Sequence, residues 1–302
     1  MTNRIRIGVM SDLHLEFESD YWARIERVTR RGDSTAAAEA LERREQLRVE
    51  AGHPEAGPDL RGLRAQGTNL LLLAGDIHVG TLGIAYADSA ARYLGCPAYF
   101  CCGNHEAYKG DLLRLLQALR DAATLTDGRV TFLEKERVDV EVGKRRVAIL
   151  GATLWTDYRV NGNEHMGMRE AAHALNDHRV ISYGRHRFTP AQARSIHLET
   201  RAWLRDEIPR ARDQVDVVIV VTHHAPIPDA NPPQYRGGEL SPAFVSDMRS
   251  EILQWQPDLW VWGHTHYSMR DRIGRTECVS AQRGYLGTDE GADRFVPMVI
   301  EL

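Results

Sequence analysis

Five short stretches of this chain carry side chains that could do chemistry together. They are "SDLH" with Asp12 and His14, "AGDIH" with Asp76 and His78, "GNHE" with Asn104 and His105, "VVTHHAP" with His223 and His224, and "GHTH" with His264 and His266. Carboxylate, amide and imidazole donors form a mixed oxygen and nitrogen set, suited to Mn, Fe or Zn rather than to Ca. Asp12 and His14 stand two apart, as do His264 and His266, and in an extended segment residues two apart point to the same side. Asp76 has two oxygens and can bridge two cations roughly 3.5–4 Å apart. Asn104 offers a neutral carbonyl oxygen, while the adjacent His105 points elsewhere and is free for proton transfer. Of the neighbours His223 and His224, only one can face a shared site from extended chain, and His223 lies nearer the strand. His78 either backs a ligand or faces substrate, or else caps a turn. Two Asp, one Asn and at least four His exceed what one ion takes, so two ions sharing Asp76 are expected.

These clusters need a scaffold that brings distant segments to one edge. Each follows a short apolar run of strand length: Ile5 to Met10, Asn69 to Gly75, Ala98 to Gly103, Val215 to His223 and Leu259 to Gly263, with another at Arg146 to Ala152. Helix-period segments lie between them. Leu112, Leu115, Leu116 and Leu119 follow an Asp111 N-cap, a capping box opens at Thr189 with Pro190 and Gln192, and a third helix is expected from Ser241 and Pro242 with Val245, Met248 and Ile252 on one face. Strands alternating with helices give an α/β class. "VEVGKRRVAIL" (Val140 to Leu150) reads as a hairpin turning at Gly143 and Lys144, so the sheet is mixed. In α/β proteins ligands bind outside the carboxyl ends of the strands, where all five clusters fall. The clusters span most of the chain without a fixed repeat, so residues 1–302 are read as one domain. Residues 22–66, rich in Arg, Glu and Ala with a helix expected over Ala36 to Val49, read as a helical insertion within it.

Composition narrows the partners. No apolar stretch approaches the roughly 20 residues that span a bilayer, so no membrane is expected. The N-terminal "MTNRIRIGVM" shows no signal-peptide pattern, and Cys96, Cys101, Cys102 and Cys278 form neither a disulfide framework nor a CxxC metal site; both point to the cytoplasm. A net charge of -4 gives no general pull toward nucleic acid, which is therefore not the favoured partner. Loops carrying Trp155 and Asp157 ("LWTDY"), Asn176 to Arg179 ("NDHR"), Pro226 to Arg236, and Arg283 are placed to rim a pocket. Arg179 and Arg283 could grip phosphate bidentately, and His78, His224, Asn104 and Asp157 are further candidates for substrate contact.

The ordered series "SDLH", "GD", "GNHE", "THH" and "GHTH" resembles the calcineurin-like metallophosphoesterase superfamily, which includes purple acid phosphatases, Ser/Thr protein phosphatases, several phosphodiesterases and some nucleases. "MSDLHLEF", "GATLWTDY" and "RGY" look like a bacterial branch of it. The resemblance implies a four-layer α/β/β/α sandwich of two mixed β-sheets flanked by helices. It implies two divalent ions per chain, Mn, Fe or Zn in preference to Ni, Co or Mg. One ion would lie on Asp12, His14, Asp76 and His266, and the other on Asp76, Asn104, His223 and His264. It further implies hydrolysis of a small phosphomonoester or phosphodiester, or of a phosphoprotein, by a metal-activated hydroxide, with His105 assisting the leaving group. The alternatives are a nuclease and a non-catalytic metal-binding scaffold of the same fold. Two departures bear on the substrate: no arginine stands within "AGDIHVG", and the 22–66 segment is longer than the usual link between the first two motifs.

Overall fold

The computed structural model describes residues 4–30 and 57–302, together with the backbone alone of residues 28–30 within that span. Strands and helices are numbered here in chain order among those residues. One sheet holds β1 (Arg6–Met10), β2 (Leu70–Ala74), β3 (Ala98–Cys101), β4 (Val130–Leu133) and β13 (Met298–Glu301), in the order β13-β1-β2-β3-β4. Only β13 runs antiparallel to its neighbour. The other holds β5 (Glu136–Val142), β6 (Arg145–Ala152), β9 (Val217–Thr222), β10 (Leu259–Trp262), β11 (Met269–Ile273) and β12 (Thr276–Ser280), in the order β11-β12-β10-β9-β6-β5. Its inner strands are parallel, and antiparallel pairs close both edges. A two-stranded ribbon, β7 (Ser182–Tyr183) with β8 (His186–Arg187), lies outside both.

The apolar runs are continuous because the strands are covered on both faces. Along β1, β2 and β9, alternate residues such as Ile7, Val9, Leu70, Leu72, Ile219 and Val221 meet between the two sheets, joined by Val147, Val261 and Val279. The intervening Leu71, Leu73 and Phe100 face α3 (Leu82–Leu94) and α4 (Leu112–Thr124) on one outer side. Val218, Val220, Trp260 and Trp262 face α7 (Pro190–Arg212) and α9 (Arg249–Trp255) on the other. The result is the expected four-layer α/β/β/α arrangement. Burying each such side chain contributes about 1.5–3 kcal/mol, which lets the strand ends carry strained and polar turns.

The remaining helices are α1 (Glu18–Arg30), α2 (Arg61–Ala65), α5 (Glu164–Ala174), α6 (Asp177–Val180) and α8 (Ser241–Phe244). Asp111 caps α4 through the Arg114 N–H, and Thr189 with Gln192 forms the capping box of α7. The third expected helix is instead broken into α8 and α9. Val245 is extended and bridges Ala225, while the Ser246 and Met248 N–H groups donate to the Ala225 and Pro226 carbonyls, which takes that stretch out of the helix. Of the 22–66 segment, the described residues hold most of α1, which begins before it at Glu18, and all of α2; the helix expected over Ala36 to Val49 falls outside the described residues. No helix among the described residues is long and apolar enough to cross a membrane.

Candidate metal centre

Parallel pairing brings the carboxyl ends of β1, β2 and β3 level, with Met10 opposite Leu73 and Ala74 opposite Cys101. In the facing sheet Val221 of β9 pairs with Val261 of β10. Asp12, Asp76, Asn104, His223 and His264 follow within three residues of those ends, so one sheet edge collects them all.

The turns that carry them are left-handed rather than extended. Asp12 (φ 53°), His14 (φ 45°), Asp76 (φ 53°), His264 (φ 74°) and His266 (φ 49°) all have positive φ. Asp12 and His14 do face one shared point while His264 and His266 fall to two different donor groups, and in both pairs side-chain alternation in extended chain is replaced by this backbone. Each such residue costs on the order of 1–3 kcal/mol and persists only where its surroundings hold it. Here the Asp12 N–H donates to the Gly75 carbonyl, His14 N–H to that of Asp76 (both 3.0 Å), and Gly263 N–H to that of His223 (2.9 Å). Glu106 completes the lacing, as its carboxylate accepts the N–H groups of Gly103 (2.7 Å), Asp76 (3.0 Å) and Ile77 (2.8 Å). Gly103 has no substitute: a Cβ there would lie 2.1 Å from Asp76 Oδ1.

Two groups of donors result. In the inner one, His223 Nδ1–H donates to the Ala74 carbonyl (2.8 Å), which turns Nε2 toward Asn104 Oδ1 (2.9 Å), His264 Nδ1 (3.1 Å) and Asp76 Oδ2 (3.4 Å). Asn104 is oriented by its own amide, which donates to Asp177 Oδ1 (2.9 Å), so its oxygen has to face inward. In the outer group His14 Nε2 and His266 Nε2 stand 2.9 Å apart, with Asp12 Oδ1 3.7 Å from His266 and Asp76 Oδ2 3.9 Å from His14. The Nδ1–H groups of both histidines are committed to carboxylates, His14 to Glu16 (3.4 Å) and His266 to Asp289 (2.6 Å). The two Nε2 atoms therefore face each other across the outer group. Asp12 Oδ2 is buried without a hydrogen-bond partner among the described residues. Converging nitrogens and an orphaned carboxylate oxygen are what a cation would satisfy, so this donor set fits two divalent ions, with Asp76 Oδ2 reaching both groups.

Protonation cuts across this division, with one histidine raised in each group: burial opposes charge on His266, but its hydrogen bond to Asp289 and the Asp12 carboxylate raise it. Burial pulls His14 down to about 4 and holds His264 and His224 well below the usual imidazole range, leaving neutral rings. Burial opposes charge on His223 as well, but the Asp76 carboxylate outweighs it and pushes His223 up to about 10; a cation at this point would stand in for that proton. His105 is similar: burial works against its charge, yet Asp76 and a 2.9 Å hydrogen bond to Glu16 raise it to about 9.

The groups open on a cavity of about 1240 Å³ lined by Asp76, Asn104, His105, His264, His266 and Arg283, among others. Other expected contacts lie elsewhere. His78 is buried beside Glu106, outside the lining, and His224 packs its ring behind His264 with centroids 4.0 Å apart while Nδ1 meets the Thr153 carbonyl. Asp157 is spent on a turn, accepting the Arg159 N–H, because its strand end belongs to the neighbouring β6. Arg179 reaches back to the His173 carbonyl and does not line the cavity. Arg283 does line it, paired through Nη1 with Glu18 and with Nε and Nη2 unpartnered among the described residues. Reasoning from sequence missed Glu16, Glu106, Tyr285 and Asp289. The first three stand within quoted motifs, "SDLHLEF", "GNHE" and "RGY"; Asp289 has no signal of its own.

Comparisons with known proteins give the family and the fold. The family model described as calcineurin-like phosphoesterase matches residues 5–268. An uncharacterized protein of Acanthamoeba polyphaga mimivirus is 24% identical over 151 residues, 46% of this chain and 50% of that protein, so the chain spans half the length of the curated relative it matches. Among solved structures, the phosphopantetheinyl hydrolase from Mycobacterium tuberculosis shares the fold at a TM-score of 0.59 and 16% identity, over 94% of this chain and 91% of that one. A dimetal phosphatase from Danio rerio aligns at a TM-score of 0.47 and 13% identity, over 98% and 91%. With the model spanning all five motifs in order, the chain belongs to the calcineurin-like phosphoesterase family.

Proposed function

We propose that this protein is a phosphoesterase that holds two divalent cations, one on Asp12, His14, Asp76 and His266 and one on Asp76, Asn104, His223 and His264, and hydrolyses a small phosphate ester. The observation that carries this reading is the pair of facing nitrogens, His14 Nε2 and His266 Nε2 at 2.9 Å, each with its other nitrogen committed to a carboxylate. Bound there, the cations would supply Lewis acidity, which polarises phosphoryl oxygens and lowers the pKa of water from 15.7 toward about 7.

The chain's own residues do the rest. Glu16 and Asp289 fix the rings of His14 and His266, and Asp177 fixes the amide of Asn104. His105 is clamped between Glu16 and Tyr285 at the cavity wall and serves the leaving group as proton source. Its ring stacks on Tyr108 at 4.1 Å, which holds its orientation. Charge in the lining favours a small ester over nucleic acid. Among the described lining residues Arg283 is the one Arg or Lys, against Asp76, Asp177, Glu239, Asp289 and Glu290, whereas a nuclease needs cations along the backbone path.

The test is turnover of one phosphomonoester and one phosphodiester reporter across Mn, Fe, Zn, Ni and Mg. Hydrolysis of at least one with at least one metal is expected. Inactivity on both with every metal overturns the proposal.

A further inference from the structure

The cavity is larger than a phosphate group needs. Ligand pockets of roughly 300–1,000 Å³ already enclose drug-sized molecules, and this one measures about 1240 Å³. With the donor groups at the phosphoryl end, the remaining space belongs to the leaving group, and the lining describes what that group is. One wall comes from Asn231 to Phe244, through Pro232, Tyr235, Leu240 and Phe244. Phe244 carries this wall to the inner donor group, its ring stacked on that of His264 (centroids 4.9 Å apart, 27° between planes). Phe295, between β12 and β13, adds further apolar surface to the lining.

Tyr235 differs from the rest of this wall in having a fixed backbone and an uncovered side chain. Pro232 and Pro233 lock their own φ angles. The Tyr235 N–H donates to the Pro232 carbonyl (2.9 Å), and its carbonyl accepts from the Ser241 hydroxyl (2.6 Å) and the Gly238 N–H (3.1 Å). Arg236 folds back on the carbonyls of Asn231 (2.9 Å) and Asp229 (2.7 Å), and the Asn161 amide donates to that of Gly238 (2.9 Å). Ser241 opens α8, the helix that ends at Phe244, so both aromatic rings belong to one stapled unit. Tyr235 is nevertheless 64% exposed while lining the cavity. A single exposed apolar side chain needs no explanation. A ring held on an ordered loop in a cavity wall is pre-organised contact surface, which a ligand covers at little cost in entropy. Charge narrows the ligand further: Arg283 is the one Arg or Lys among the described lining residues, and Glu239 and Glu290 share the lining with it. One phosphoryl group is provided for by the donor groups, whereas a second would meet carboxylates instead of cations.

We propose that the wall of Tyr235 and Phe244 receives the leaving group, and that this group is an alcohol carrying an uncharged aromatic ring and no second phosphoryl group. The inference rests on the phosphoesterase reading above. A planar ring can stack offset on the Tyr235 phenol, an arrangement that contributes beyond the area it buries and that a saturated ring of the same size cannot adopt. Tyr235 makes this contact away from the reacting atoms, in the ground state and the transition state alike. Its removal therefore raises KM and leaves kcat on such an ester in place.

The experiment measures kcat and KM on propyl, phenylpropyl and cyclohexylpropyl phosphate, whose leaving oxygens are alike, and on propanediol bisphosphate. Wild type, Tyr235→Ala and Tyr235→Phe are compared, each loaded with the most active metal. Tyr235 is the residue to change because Phe244 also packs on His264. The wild type is expected to show its highest kcat/KM on the phenylpropyl ester and its lowest on the bisphosphate. In Tyr235→Ala the ratio of kcat/KM between the phenylpropyl and propyl esters should fall roughly 3–10-fold, through KM, and Tyr235→Phe should retain the wild-type ratio. Phenylbutylphosphonate, which cannot be hydrolysed, should lose affinity by the same factor relative to butylphosphonate when its binding to Tyr235→Ala is measured by calorimetry. A cyclohexyl ester used as well as the phenyl one, a bisphosphate used as well as the propyl ester, an unmoved ratio, or a Tyr235→Phe variant as impaired as Tyr235→Ala would each overturn the assignment. Inactivity of the wild type on every ester with every metal overturns the phosphoesterase reading instead, a separate result.

Discussion

Asp76, Asn104, His223 and His264 are buried, and the side chain of His223 is gripped by the carbonyl of Ala74 at the end of a central strand. Asp12, His14 and His266 use the same kinds of donor, yet their rings are steered by Glu16 and Asp289, carboxylates on the first turn after β1 and on the loop after β12, and the side chain of His266 is 19% exposed. The inner group is set by the sheets; the outer group is set by loops, of which the one carrying Asp289 also walls the cavity. Sites built on strand ends hold their geometry more tightly than sites on loops. The inner position should therefore be the tighter and less exchangeable one.

Replacing the shared ligand tests whether the two groups are one centre. Asp76→Ala is expected to abolish binding at both positions and with it all turnover, as read by elemental analysis and by either reporter. Retention of one ion at full occupancy would show two independent sites. A finer cut separates the groups. Asp289→Ala should weaken the outer ion about 10–100-fold and leave the inner one, while Asp177→Ala, by releasing the Asn104 amide, should do the reverse. Metal titration with anomalous scattering distinguishes the two, and identical effects from both variants would erase the comparison. His264→Ala and His266→Ala should divide in the same manner. The smallest effect is on stability. One ion at about 100 times its dissociation constant contributes about 2.7 kcal/mol, so chelation should lower the melting temperature by about 4 °C per ion. An unchanged melting temperature would mean that neither group holds an ion in the folded protein.

How much of this could be read from the chain depends on where each residue's information lies. The strands from Ile7 to Met10, Leu70 to Ala74 and Val217 to Thr222 were legible because burial on two faces leaves an unbroken apolar run. β12 hides its equally complete burial behind Thr276, Glu277 and Ser280, and β11 is an edge strand written as MRDRI. The break between α8 and α9 was invisible because its cause is a pair of backbone hydrogen bonds to residues some twenty positions earlier. Within the site, donors that end strands announced themselves by type and spacing. Asp289 did not, since an acid that accepts an imidazole N–H across a turn has no period and no neighbour that marks it, and Glu106, though inside "GNHE", gives no sign in the sequence that it accepts the backbone N–H groups of another strand end. Asp157 and Arg179 show the converse: a promising residue type near a motif is spent on local hydrogen bonds.

The left-handed turns at Asp12, His14, Asp76, His264 and His266 limit any effort to retune this centre for another ion. Handedness of the backbone filters the replacements before coordination chemistry does, because β-branched and bulky side chains are outliers at such φ while Asn, Asp and His are enriched there. The working vocabulary at these five positions is thus short and hydrogen-bonding. Softer donors such as cysteine would be easier to introduce at His223, whose φ is not among the positive ones, than at the positions that look most exposed to choice.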